Sequence, residues 1–179
     1  MLILEDVYPA VYPKKRAEHF VHEDLLDLAL SFDVRAYSED GTILSSSALT
    51  KEELASSGIS YEEMKEIAFD NFKSRYKPKL MDFDVMYVLT TDAMCYGAVY
   101  LALPEVIEAL ADSFAVDLCV IPSSTEELIL LELEETDNAE EVNAIIRSVN
   151  ADPECINEDT YLSDNAYLFS RRTGKITKW

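Results

Sequence analysis

The residue pattern predicts an α+β fold, a mainly antiparallel mixed sheet with about three helices packed on one face. Three observations carry this expectation. Apolar and polar residues alternate over residues 26–36, the period of a half-buried strand. Two hydroxyl-x-x-Glu tetrads, at Thr50 and at Ser60, have the form of helix capping boxes. Strand-like runs then come in adjacent pairs between single helical stretches, in the order β, ββ, α, ββ, α, ββ, α, β.

At 179 residues one domain is expected, spanning 1–179, with 1–24 as an irregular N-terminal segment. Residues 7–12 form at most a short strand there, broken by Pro9 and Pro13. In the 26–36 strand, Leu26, Leu28, Leu30, Phe32, Val34 and Ala36 should face inward, and Asp27, Ser31 and Asp33 outward. Ser38-Glu39-Asp40-Gly41 is a turn into a hairpin partner beginning at Thr42. Of the two capping boxes, the one at Ser60 has the better setting, because Ile59 and Met64 flank it as a hydrophobic staple. Tyr61, Met64, Ala68, Phe72 and Tyr76 then share one helical face, and Lys77-Pro78 stops the helix. Residues 84–91 and 95–100 read as two strands. Pro104 suits a helix's first turn, ahead of a stripe of Val106, Ile107, Leu110 and Phe114. Residues 117–121 are a short strand ended by Pro122, and 128–134 are another. Asn138 caps a helix to about Asn150 with Val142, Ile145, Ile146 and Val149 inward, and 165–170 form the last clear strand before Gly174 turns the chain towards Ile176.

Composition sorts function classes. Ten Tyr and seven Phe supply a core that a disordered chain would lack, despite a net charge of −20. Between Lys79 and Arg147 there are fifteen carboxylates and no Lys or Arg, so three quarters of the net charge sits in that stretch. Such a field repels nucleic acid and anionic membranes and attracts basic partners or metal cations. No apolar run approaches the ~20 residues that span a bilayer, and the N-terminus lacks the pattern of a signal peptide. Cys95, Cys119 and Cys155 show no CxxC spacing, which suits a reducing compartment; a cytoplasmic protein is expected.

Motifs for chemistry are weak. His19 and His22 lie three apart, a spacing open to metal ligation, but their segment lacks helical periodicity and reads as a solvent-facing loop. Ser123 and Ser124 follow a strand without the glycine elbow of a serine hydrolase. Cys119 lies near Asp117 and far from any cation, which disfavours its thiolate. Four scattered glycines build no phosphate cradle. No catalytic residue, metal or cofactor is therefore assigned. The first expectation is a non-enzymatic binding or regulatory module that turns an acidic surface to a basic protein, with Glu105, Glu108 and Asp112 on one helix face free of cations. In its sharpest form those carboxylates stand in for DNA phosphates. The alternative is a small hydrolase-like enzyme gathering Cys95, Ser123, Ser124 and His22. Oligomeric state stays open.

Met86-Tyr87-Val88-Leu89-Thr90-Thr91, Tyr96-Gly97-Ala98, Ile121-Pro122-Ser123-Ser124 and Leu162-Ser163-Asp164-Asn165-Ala166-Tyr167, with Asp27-Leu28-Ala29 and the helix start at Gly58-Ile59-Ser60, together resemble a family. It is an uncharacterised family of gut clostridial proteins, the domain of unknown function 5688. The resemblance departs between Tyr76 and Asp84, where family members carry a longer insertion. It implies an intracellular bacterial protein and transfers no activity or site residue. Gly97 is expected to allow a close backbone approach or a bulge.

Overall fold

A computed structural model describes residues 3–152, 154, 157 and 159–179. The chain divides into two compact units, residues 1–77 and 78–179. Both are α+β with antiparallel sheets.

The first unit carries β1 (Val7–Pro13), α1 (Lys14–Ala17), β2 (His22–Leu25), β3 (Leu28–Tyr37), β4 (Ile43–Ala48), α2 (Lys51–Ser57) and α3 (Tyr61–Arg75). The segment expected to be irregular thus holds two strands and a helical turn. Its prolines are tolerated because β1 lies at the end of the sheet and pairs with β3 alone. On its other side β3 pairs with β2 and then with β4. The strand expected over 26–36 starts two residues later, because Leu26 adopts a left-handed φ of 59° in the β2–β3 turn.

Burial along β3 departs from the expected alternation. Leu30 and Phe32 are in the core, but Ser31, Asp33 and Arg35 are buried as well, and Ala36 is exposed beside a register irregularity. Period two marks two faces without saying that one meets water. Here the polar face is internal and hydrogen-bonded. Ser31 Oγ donates to Val21 O at 2.9 Å, Tyr12 Oη donates to Asp33 Oδ2 at 2.7 Å, and Arg35 Nη2 donates to Pro9 O at 3.0 Å. On the opposite face Phe32 meets Tyr61 of α3 edge to face, and the stripe Met64, Ala68, Phe72 is buried as its spacing requires. Thr50 makes the complete capping box, with side-chain bonds running both ways to Glu53, whereas Ser60 only receives the Glu63 N–H.

The second unit carries β5 (Pro78–Asp82), β6 (Tyr87–Thr91), α4 (Pro104–Phe114), β7 (Leu118–Ser124), β8 (Glu127–Glu132), α5 (Ala139–Asn150), β9 (Tyr167–Ser170) and β10 (Lys175–Lys178). Its six strands lie in the order β10-β9-β7-β8-β6-β5. Among the described residues the chain has five α-helices and two 3-10 turns, more than the three helices expected; α1 and α2 are too short to show a period. Residues 97–102 form a 3-10 turn instead of the second half of a hairpin. Gly97 explains this. A Cβ there would lie 2.5 Å from Glu126 O, and its N–H donates to that oxygen at 2.8 Å, so the chain is pressed against the β8 side of the sheet rather than paired along it. Pro122 does not end β7, because it falls where the β7–β8 register slips between Ile121 and Ser124.

Helices cover both faces of this sheet, not one. Directly opposed residues share a face, and neighbours along a strand point oppositely. Leu130 opposes Tyr87, whose ring stacks on Phe114 of α4 at 4.4 Å. Leu131 opposes Cys119, which packs with Ile146 of α5. So α4 and α5 lie on opposite sides. Among the described residues no helix is long and apolar enough to cross a membrane.

Candidate functional site

On the α5 face, a groove of about 330 Å³ opens where the β7–β8 hairpin meets the C-terminal half of α5 and the residues Asn157, Thr160, Tyr161 and Ser163. Ile121 and Ile129, opposed across the hairpin, and Ile146 of α5 form its apolar floor. The amphipathic period of α5 explains only part of its surface. Ile146 points inward at 8 % exposure, but Ile145 and Val149, expected inward with it, are 65 % and 49 % exposed along the groove. A helix leaving two branched side chains so wet beside a concavity is the feature that most departs from a fold-only requirement.

Polar groups sit at one end and along one wall. Ser123 Oγ donates to Glu127 Oε1 at 3.3 Å, both within the groove. Asn150 Nδ2, in the last turn of α5, donates to Ser163 O and Asp164 Oδ1, and Thr125 N–H donates to Thr160 O at 2.8 Å. These bonds fix the far wall against helix and hairpin. Among the described lining residues there is one carboxylate, Glu127, and no Lys, Arg or His.

A second concavity, of about 380 Å³, lies in the first unit between Val34, Ser47 and the α2 residues Glu52, Glu53, Ser56 and Ser57. Glu53 is already engaged there: hydrogen bonds from the Thr50 backbone and hydroxyl hold its carboxyl below the usual range.

The residues singled out from sequence are scattered. Glu105, Glu108 and Asp112 are exposed on α4, on the sheet face opposite the groove. Asp112 is not free of cations as expected, since Arg171 Nε reaches its Oδ1 at 3.1 Å. The C-terminal hairpin brings that cation back to α4, which no local pattern could reveal. Ser123 and Ser124 line the groove; Cys95 instead sits in the turn after β6, with Thr91 Oγ1 donating to its carbonyl at 2.7 Å. His22 belongs to the first unit, where its Nδ1 lies 3.1 Å from Phe20 O. Among the described residues no His, Cys, Asp and Glu cluster fit for a metal occurs, around His19 and His22 or elsewhere. Burial, and then Asp137, push the Cys119 thiol up to about 12. Cys155 lies outside the described residues.

The second unit is therefore an antiparallel sheet between two helices with an apolar, cation-free groove on one side. Residues 77–171 match a family of unknown function (DUF5688), and the chain belongs to that family. The match takes in every described lining residue of the groove and leaves the first unit outside it except for Lys77, so it is narrower than the resemblance read from residues 27–29 and 58–60. No curated protein and no solved structure matches the chain.

Proposed function

We propose that the protein is a non-enzymatic binding module that captures a basic segment of a partner protein, with the groove of the 78–179 unit as its seat. The observation that carries this reading is the groove's composition among its described lining residues: an apolar floor, two exposed branched side chains, one carboxylate and no cation. The unit around it holds twenty carboxylates against six Lys and Arg, a net −14. Such a field speeds encounter with a cationic partner, while buried apolar contacts hold it. Glu105, Glu108 and Asp112 contribute to that field as steering charges. The hydrolase alternative finds less support, because this unit contains no histidine and Ser123 has a carboxylate as its hydrogen-bond partner. The free thiols of Cys95 and Cys119 support a bacterial cytoplasm as its setting.

The test is capture from the source bacterium at low and high salt with the parent protein and with Ile145→Glu/Val149→Glu. A basic protein retained by the parent, released by salt and lost by the variant is the expected result. The same proteins retained by both would sink the reading, as would retention that salt leaves unchanged.

A further inference from the structure

Resting on the groove as the partner's seat, we propose that the bound segment is an extended strand that continues the sheet along β7 where β9 stops. β9 pairs with β7 only at Leu118–Phe169, Cys119–Leu168 and Val120–Tyr167. Just before that pairing the chain is drawn elsewhere. The Ala166 N–H donates to the buried Asn143 Oδ1 at 2.7 Å, and the Ala166 carbonyl accepts from Trp179 N at 3.2 Å. β7 nevertheless runs on to Ser124. Among the described residues no strand pairs with residues 121–124 on that flank, and these four residues line the groove.

Among the described residues the sheet thus has an unpaired flank inside its strand order rather than at an outer edge. Four residues of β7 offer about 13 Å of strand at roughly 3.3 Å per residue. Thr160, Tyr161 and Ser163 close the far side, held by the Thr125–Thr160 and Asn150–Ser163 bonds, so an added strand would lie in a slot with two walls. Main-chain hydrogen bonds supply affinity in this mode, and alternate side chains supply specificity. Side chains on the α5 face of the added strand would meet Val149 and Ile145, and then Glu127. Because that face recurs every second residue, the geometry selects an apolar residue followed two positions later by Lys or Arg.

Nuclear magnetic resonance of the ¹⁵N-labelled full chain tests this with the acetylated, amidated hexapeptide Thr-Val-Thr-Lys-Thr-Ser, in which Lys lies two positions after Val. The amides of Ile121, Ser123 and Ser124 are expected to shift and to gain protection from hydrogen exchange. N-methylation of alternate peptide nitrogens should weaken binding roughly tenfold, the loss of one or two main-chain hydrogen bonds. Val149→Glu should weaken both the shifts and the protection. An N-methylated peptide that shifts the groove amides with equal affinity overturns strand addition and leaves the binding seat standing. If millimolar peptide shifts no amide lining the groove, both the strand and the seat are overturned.

Discussion

Arg171 Nε donates to Asp112 Oδ1 at 3.1 Å while its own backbone N–H donates to Asp117 Oδ1 at 2.9 Å, so one residue clasps two of the carboxylates around α4. Both side chains of the ion pair are well exposed, at 36 % and 62 %. A pair of this kind contributes at most about 1 kcal/mol.

The larger electrostatic effect is collective. At a net −20, added salt should raise the melting temperature by screening repulsion over about 8–10 Å. Arg171→Gln removes one of few cations in the second unit and should make that rise steeper. The triple change of Glu105, Glu108 and Asp112 to Gln should raise stability at low salt. Thermal unfolding across a salt series reads all three, and a melting temperature that falls with salt would contradict the repulsion argument.

Phe32 and Leu30 are 0 % and 2 % exposed on the strand at the middle of the first sheet. Replacing either by Ala should cost about 2–5 kcal/mol. Urea titration followed by circular dichroism gives the value; a loss within noise would remove β3 from the core.

Gly97→Ala places a methyl 2.5 Å from Glu126 O and 2.8 Å from Leu89 O, both backbone atoms that yield only by moving strands. A destabilisation of about 1–3 kcal/mol is expected. Gly58→Ala is the contrast: its Cβ would meet nothing within 4 Å, and its strain comes only from a φ of 78°. Comparable urea midpoints for parent and Gly97→Ala would dismiss the close approach as the reason for glycine.

Asp33 and Arg35 lie 3.9 Å apart and are almost fully buried. Removing one charge strands the other, so Asp33→Asn or Arg35→Met alone should destabilise by about 3–5 kcal/mol. The double change should cost less than the two single changes together. Additivity in this cycle, measured by chemical denaturation, would show that the two charges do not support one another.

Cys119 has its thiol pushed from an ordinary value near 9 up to about 12, chiefly by burial. The folded state holds that proton longer than the unfolded chain, so the contribution to stability is complete below pH 9. It falls as pH rises from about 9 towards 12. Relative to Cys119→Ala, the parent should lose stability across that window. Native labelling by a thiol reagent at neutral pH should be the same for parent and variant; rapid modification of Cys119 would contradict its burial.

Local chemistry made several elements legible. Thr50 and Glu53, Asn138, and Pro104 mark three helix starts within one residue, since caps act through neighbouring atoms. The α+β class followed from the pairing of strand-like runs. What stayed hidden depends on distant residues. β5 was missed because Pro78-Lys79-Leu80-Met81-Asp82 has no alternation, and only β6 holds it extended. The internal position of Ser31, Asp33 and Arg35 depends on Tyr12, Val21 and Pro9 supplying partners. The groove was the least legible feature, because its walls come from β7, α5 and the distant residues Thr160, Tyr161 and Ser163. The apolar period of α5 gave no sign of it, because that period reads Ile145 and Val149 as inward with Ile146 and only the tertiary packing leaves them exposed.

The strand order of the second unit also prescribes an assembly sequence. β5–β6, β7–β8 and β9–β10 are three hairpins of sequence neighbours, laid side by side through the β6–β8 and β7–β9 seams. Hairpins of this kind form in about 1–10 μs. Each seam closes only after a helix has been passed, α4 for the first and α5 for the second, so loop closure governs the slower steps. Substitutions at Leu130 or Val120, on the seams, should slow folding, whereas those at Ile176 in the last hairpin should chiefly speed unfolding.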